Sequence, residues 1–120
     1  LQTENDHTMV GILVEGQKGL NNLSEIVQVK GLDFIYLGLF DICQSVGLPG
    51  QTSHPKVLKE ISRCSDLIRS SGIVAGCMLT DVESIKMLKK KNYQFIAYLN
   101  DAAAVKAHFD YVIGAVRESI

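Results

Sequence analysis

The chain has almost no net charge: 12 Lys and Arg stand against 13 Asp and Glu, leaving −1. So even a balance gives no electrostatic footprint for nucleic acid or for an anionic membrane surface. Long apolar runs are also missing. Stretches such as MVGILV (9–14) fall far short of the roughly 20 residues that a bilayer span needs. The opening segment, Leu1 to His7, is polar and carries two acids, so it does not read as a secretory signal. Cysteine is scarce. Cys43, Cys64 and Cys77 are odd in number and form no CxxC pair, which reads as reduced thiols in a cytoplasmic protein. There is no initiator methionine, and the expectation is a piece of a longer product.

What is present suffices for one small domain. The 120 residues are 47% apolar, well above the disordered range. Residues 9–14 form a continuous apolar run that stops at Glu15. Continuous rather than alternating runs predict a strand covered on both faces, as in a parallel sheet. Leu20, Leu23 and Val27 then recur at helical spacing, ended by Gly31. A second strand is expected over 33–37. Ser53 or His54 caps a long helix with Pro55 in its first turn, and Val57, Ile61, Cys64 and Ile68 give it one buried stripe. Gly72 closes it. A third strand is expected over 73–79. Asp81 is placed as the cap of a short helix that buries Val82, Ile85 and Leu88 and ends in the solvated run Lys89–Lys91. A fourth strand is expected over 94–100. Asp101 is placed as the cap of a last helix striped with Val105, Phe109, Val112 and Val116. That stripe either packs on its own sheet or forms an interface.

The order is βα four times over, so the fold class is α/β with a parallel sheet and right-handed crossovers. In such sheets ligands gather at the carboxyl ends of the strands. Two acids, Glu15 and Asp41, follow two successive strands there. Neighbouring strands lie about 4.8 Å apart, so both carboxylates can converge on one point. Two such anions repel, and a hard divalent cation relieves the repulsion. The plain alternative is that each acid caps a helix or faces solvent.

Several segments resemble the HpcH/HpaI aldolase family, in its carboxyl-terminal half. They are Val14-Glu15, NLSEI (22–26), GLDFIYLG (31–38), DICQSVGLPGQ (41–51) and HPKV (54–57), followed by GIVAGCML and YQFIAYLND. The DxxxSxGxPGQxxHP run, Asp41 to Pro55, is the specific part; the rest is general barrel sequence. The resemblance implies four βα units of a (β/α)₈ TIM barrel, a partial barrel of which 1–120 form one domain. Whole barrels run to roughly 250 residues. It further implies reversible retro-aldol cleavage of a 2-oxo-3-deoxy acid to pyruvate and an aldehyde. Glu15 and Asp41 would hold a divalent metal, Mg²⁺ or Mn²⁺, and the backbone around Gly38, Phe40 and Asp41 would bind the carboxylate of pyruvate. The partners implied are the 2-oxo acid and either further copies of the chain or a complementary half-barrel.

The sequence departs from the family pattern at Leu39, where the family has Pro, and at Phe40, where it has a small residue. The His and Arg that family members use come from earlier strands. His7, His54, His108, Arg63, Arg69 and Arg117 stand in none of the required places, so no catalytic acid or base is assigned to this half. His54 reads as a cap or surface residue, His108 as solvent-facing, and Cys43 as a small buried residue with no cation nearby to activate it. Two other readings are a non-catalytic half-barrel used for assembly and a receiver-like doubly wound domain. The second needs a fifth strand and an acidic pair after the first.

Overall fold

The computed structural model describes residues 4 and 6–120. Four parallel strands form one sheet: β1 (Gly11–Val14), β2 (Phe34–Leu37), β3 (Val74–Leu79) and β4 (Phe95–Tyr98). Their spatial order is β1-β2-β3-β4. A sequential order with no reversal belongs to a barrel wall, whereas a doubly wound sheet reverses at a switch point. Six helices connect or follow the strands: α1 (Gln17–Asn21), α2 (Leu23–Ile26), α3 (Leu39–Ser45), α4 (Pro55–Ser70), α5 (Ser84–Lys90) and α6 (Asp101–Glu118).

The core lies between one face of the sheet and the helices. Val14, Ile35, Leu37, Ala75, Cys77 and Leu79 supply the sheet side, and Leu20, Leu23, Ile42, Cys64 and Ile68 the helix side. The long helix keeps its expected stripe, with Val57, Cys64 and Ile68 fully buried and Ile61 half-buried. His54 is its cap: Nδ1 accepts from the Lys56 amide at 3.2 Å. Leu20, Leu23 and Val27 are all buried as expected, but the helix carrying them breaks at Asn22 into two short pieces.

Three expectations need correction. Val82 is exposed rather than buried, because α5 begins only at Ser84. Asp81 still ends that loop, since its carboxylate accepts from both the amide and the hydroxyl of Ser84. The cap of α6 is Asn100, whose Oδ1 accepts from the Ala103 amide at 2.8 Å; Asp101 is already inside the helix. The β1 strand is not covered on both faces: Leu13 is half-exposed and Met9 and Val10 are open.

The uncovered face carries a small aromatic layer. Phe34 and Phe95 stack with ring centroids 4.3 Å apart, and Tyr36 meets Phe95 edge-on at 6.1 Å. These rings come from alternate strands, the layering of a barrel interior. Gly76 lies under them, and a Cβ there would come within 2.9 Å of the Phe95 ring. The α6 helix is bare as well. None of its residues is buried, and Val105, Phe109, Val112 and Val116 are all open to solvent. The radius of gyration, 17.4 Å, exceeds the about 14 Å of a compact domain this long, as a projecting helix requires.

One ion pair ties the helix layer together. Arg63 donates to both oxygens of Glu60, at 2.6 and 3.1 Å, and also to the Leu20 carbonyl at 3.2 Å. The hydrogen bond from Arg63 holds the Glu60 carboxyl below its ordinary range, against desolvation. A depressed folded-state pKa means the stabilisation is complete above the unfolded value of about 4.3 and is lost as pH falls through the folded value. The pair is partly solvated, so it is worth about 0.2–1 kcal/mol. Glu60→Gln is therefore expected to lower the melting temperature slightly at neutral pH, and the gap to the parent is expected to close well below the carboxylate range. Thermal melts across that pH series check it.

Candidate functional site

The β1–β2 register positions the rim. It runs from Gly11 opposite Phe34 to Val14 opposite Leu37. At the lower end Asp33 fixes it twice, since its amide donates to the Val10 carbonyl at 2.8 Å and its carboxylate accepts from the Val10 amide at 2.7 Å. At the upper end Gly38 does the same. Its amide donates to the Val14 carbonyl at 3.0 Å, and its carbonyl accepts from the Ile42 amide at 2.9 Å. The first bond ties Gly38 to the residue before Glu15. The second closes the first turn of α3, which contains Asp41.

Glu15 and Asp41 are thus one glycine apart along a hydrogen-bonded path at the carboxyl ends of β1 and β2. The Glu15 side chain lies directly over Gly38. A Cβ on Gly38 would stand 2.7 Å from the Cβ of Glu15 and 3.1 Å from its Oε2. The first of these distances does not occur between real atoms, so any side chain at 38 must evict Glu15. Both carboxylates are exposed. Neither joins an ion pair or a side-chain hydrogen bond among the described residues. No group of three or more His, Cys, Asp or Glu side chains converges among those residues, so a cation at this rim would have the carboxylates of Glu15 and Asp41 as its candidate protein donors. That suits a hard cation completed by water and ligand oxygens.

The amides of Leu39, Phe40 and Asp41 begin α3, where the first N–H groups have no intrahelical acceptor. Gly38 provides no side-chain cap for them. This rim therefore sets two acids beside a turn with free donors. Further along it, Asp81 is held below its ordinary pKa by the Ser84 hydroxyl and amide. Leu99 takes a left-handed backbone (φ 53°) as its amide bonds the Leu79 carbonyl at 3.0 Å. Phe40 is half-exposed, and with Leu39 it borders a cavity between α4 and α5.

The profile of the HpcH/HpaI aldolase/citrate lyase family matches residues 1–106. The chain belongs to that family. It is 34% identical over 101 residues to a hydroxypyruvate/pyruvate aldolase of Roseobacter denitrificans, covering 84% of this chain and 40% of that protein. Against a 4-hydroxy-2-oxo-heptane-1,7-dioate aldolase of Escherichia coli the identity is 28% over 127 residues, covering 100% of this chain and 48% of the relative. The chain thus spans about half the length of the curated relatives it matches. Among solved structures, an HpcH/HpaI aldolase/citrate lyase family protein from Burkholderia cenocepacia superposes with a TM-score of 0.88 at 24% identity, over 98% of this chain and 46% of that one. The fold is therefore the (βα)₄ half of a TIM barrel.

Sequence reasoning placed Glu15, Gly38 and Asp41 at the ends of the first two strands, and that is where they lie. It missed α3 itself and the clamp at Asp33. The signal for α3 was the pair Ile42 and Cys43 after a glycine, both fully buried. Asp33 had only the GLD motif to mark it. Phe40 does sit in the rim turn, but its ring borders the outer cavity as well as the site.

All three cysteines are free and buried. Burial pushes the Cys43 thiol up against its own backbone hydrogen bond. It pushes Cys64 up to about 11 despite the neighbouring Arg63 guanidinium, and Cys77 up to about 11. None is a nucleophile at physiological pH. In the folded protein all three are expected to resist iodoacetamide at mildly alkaline pH and to react once denatured. Mass spectrometry of the alkylated protein reads this directly.

Proposed function

We propose that this chain supplies the metal-holding, carboxylate-binding half of a (β/α)₈ lyase that reversibly cleaves a 2-oxo-3-deoxy acid to pyruvate and an aldehyde. The observation that carries the reading is the Glu15 carboxylate lying over Gly38 with Asp41 one helical turn beyond. Glu15 and Asp41 are the residues that would hold Mg²⁺ or Mn²⁺. Once bound, the cation supplies Lewis-acid stabilisation of the negative charge that develops on the keto oxygen. The free amides of Leu39 to Asp41 orient the substrate carboxylate by hydrogen bonds. Leu39 and Phe40 restrict the approach and keep water off that turn. Among the described residues no histidine stands at the rim as a proton carrier: His54 is engaged as a helix cap, His108 lies exposed on α6, and His7 precedes β1 at the far end of the sheet. The acid–base partner therefore belongs to the complementary half of the barrel.

A second reading, a non-catalytic half-barrel in an assembly, draws on the bare apolar stripe of α6 and the open aromatic face of the sheet. Metal binding separates the two. A bound ion at 100 times its dissociation constant adds about 2.7 kcal/mol of stability. Millimolar Mg²⁺ or Mn²⁺ is expected to raise the melting temperature, and Glu15→Gln or Asp41→Asn to abolish the rise. Gly38→Ala is expected to weaken it strongly, by displacing Glu15. Gly16→Ala should not, because a Cβ there meets nothing within 4 Å. A metal-independent melt leaves the assembly reading standing.

The 120-residue chain alone is expected to release no pyruvate from a 2-oxo-3-deoxy acid above the metal-only blank. A coupled dehydrogenase assay measures it, and turnover would refute the assignment of the proton-transferring group to the other half.

A further inference from the structure

The helix layer contains a cavity of about 420 Å³ between α4 and α5, over the outer face of β3. Protein interiors are close-packed, and unfilled apolar space is destabilising in proportion to its volume. This void exists because the facing positions are small: Ser62 and Ser65 on α4, Cys77 on β3 and Ser84 on α5. Its lining comes from α4, β3, α5 and the segments next to them. Its size is that of a small-molecule site, and its walls are mostly apolar, formed by Leu58, Ile61, Leu79, Met87 and Leu88.

The charges around it are ordered along its length. Asp66 and Arg69 neutralise each other as an ion pair. Lys91, at the foot of α5, lines the cavity and makes no ion pair among the described residues. Asp81 follows the carboxyl end of β3, as Phe40 follows that of β2, whereas Lys91 precedes the amino end of β4, so the two charges stand at opposite ends of the sheet. The polar floor is the hydrogen-bonded pair of Ser65 and Tyr93 hydroxyls. An anionic head is thus attracted to the Lys91 end and repelled from the rim end, while an apolar body fits the walls between.

We propose that this cavity binds a small monocarboxylic acid with an apolar body, its carboxylate at Lys91 and its tail toward Phe40. The site meets the rim at Phe40 and Asp81, but its anion-binding end at Lys91 does not use Glu15 or Asp41 and stands whether or not the lyase reading holds.

The test is a calorimetric titration of the purified protein with octanoate, octanol and octylammonium. Octanoate is expected to bind saturably, octanol about tenfold or more weaker for want of the charge-assisted contact, and octylammonium not at all. Lys91→Gln, a change at an exposed position, is expected to bring octanoate down to the level of octanol without altering the melt of the free protein. Ser62→Phe fills the void and is expected to abolish both. Absence of saturable octanoate binding overturns the proposal. So does equal binding of octanol or octylammonium, or binding that neither variant changes.

Discussion

The rim depends on one residue that has no side chain. Gly38 takes its place beside β1 through its amide and starts α3 through its carbonyl, and its missing Cβ is the space in which Glu15 lies. Two strands and a helix therefore meet at one backbone unit. Slipping the β1–β2 register by one residue would turn Glu15 to the other face of the sheet. Asp33 guards against that slip at the opposite end of the same strand pair. The two clamps share the work: Asp33 fixes where the strands start, and Gly38 fixes what their ends bring together.

The same sheet explains the molecule's open surfaces. Its helix-facing side is a closed core, whereas the other side shows Leu13, Phe34, Tyr36 and Phe95. In a closed barrel such residues fill the interior in layers drawn from alternate strands. The stacked pair Phe34 and Phe95 already has that arrangement across Gly76. Four strands supply only part of the wall, so half of each layer has no neighbour. The α6 stripe is a separate matter. It lies outside the sheet's core, and its regular apolar spacing without burial is the pattern of a helix that packs on something beyond this chain's own core.

Much of this was legible in the sequence because the fold repeats a simple unit. Four apolar runs, each followed by helical periodicity, gave the strands to within a residue or two at most ends. The α4 stripe survived intact because it is long and strictly periodic. The misses have local causes. Asn100 outcompeted Asp101 as a cap, and a two-residue motif of good capping residues does not say which one stands outside the helix. Val82 fell outside α5 because Asp81 spends its carboxylate on Ser84 and so delays the helix start. Helix α3 escaped notice because seven residues show too little periodicity. At the site, Glu15 and Asp41 were visible as interrupted apolar runs. The contact of Glu15 with Gly38 was not, since it depends on two strands being in register.

The departures at Leu39 and Phe40 then take a specific meaning. Leu39 is the first residue of α3, the position where proline is favoured because its missing N–H would have no partner anyway. A leucine there preserves the helix start, since Ile42 still bonds to Gly38 and Asp41 stays in the first turn. What changes is the donor count: leucine carries an amide N–H that a proline at this position would lack. Phe40 finds room because the outer cavity borders the turn, so a bulky ring does not have to displace Glu15 or Asp41. The placement of Glu15 and Asp41 thus rests on the backbone bonds and the missing Cβ of Gly38, and the side chains of Leu39 and Phe40 take no part in it.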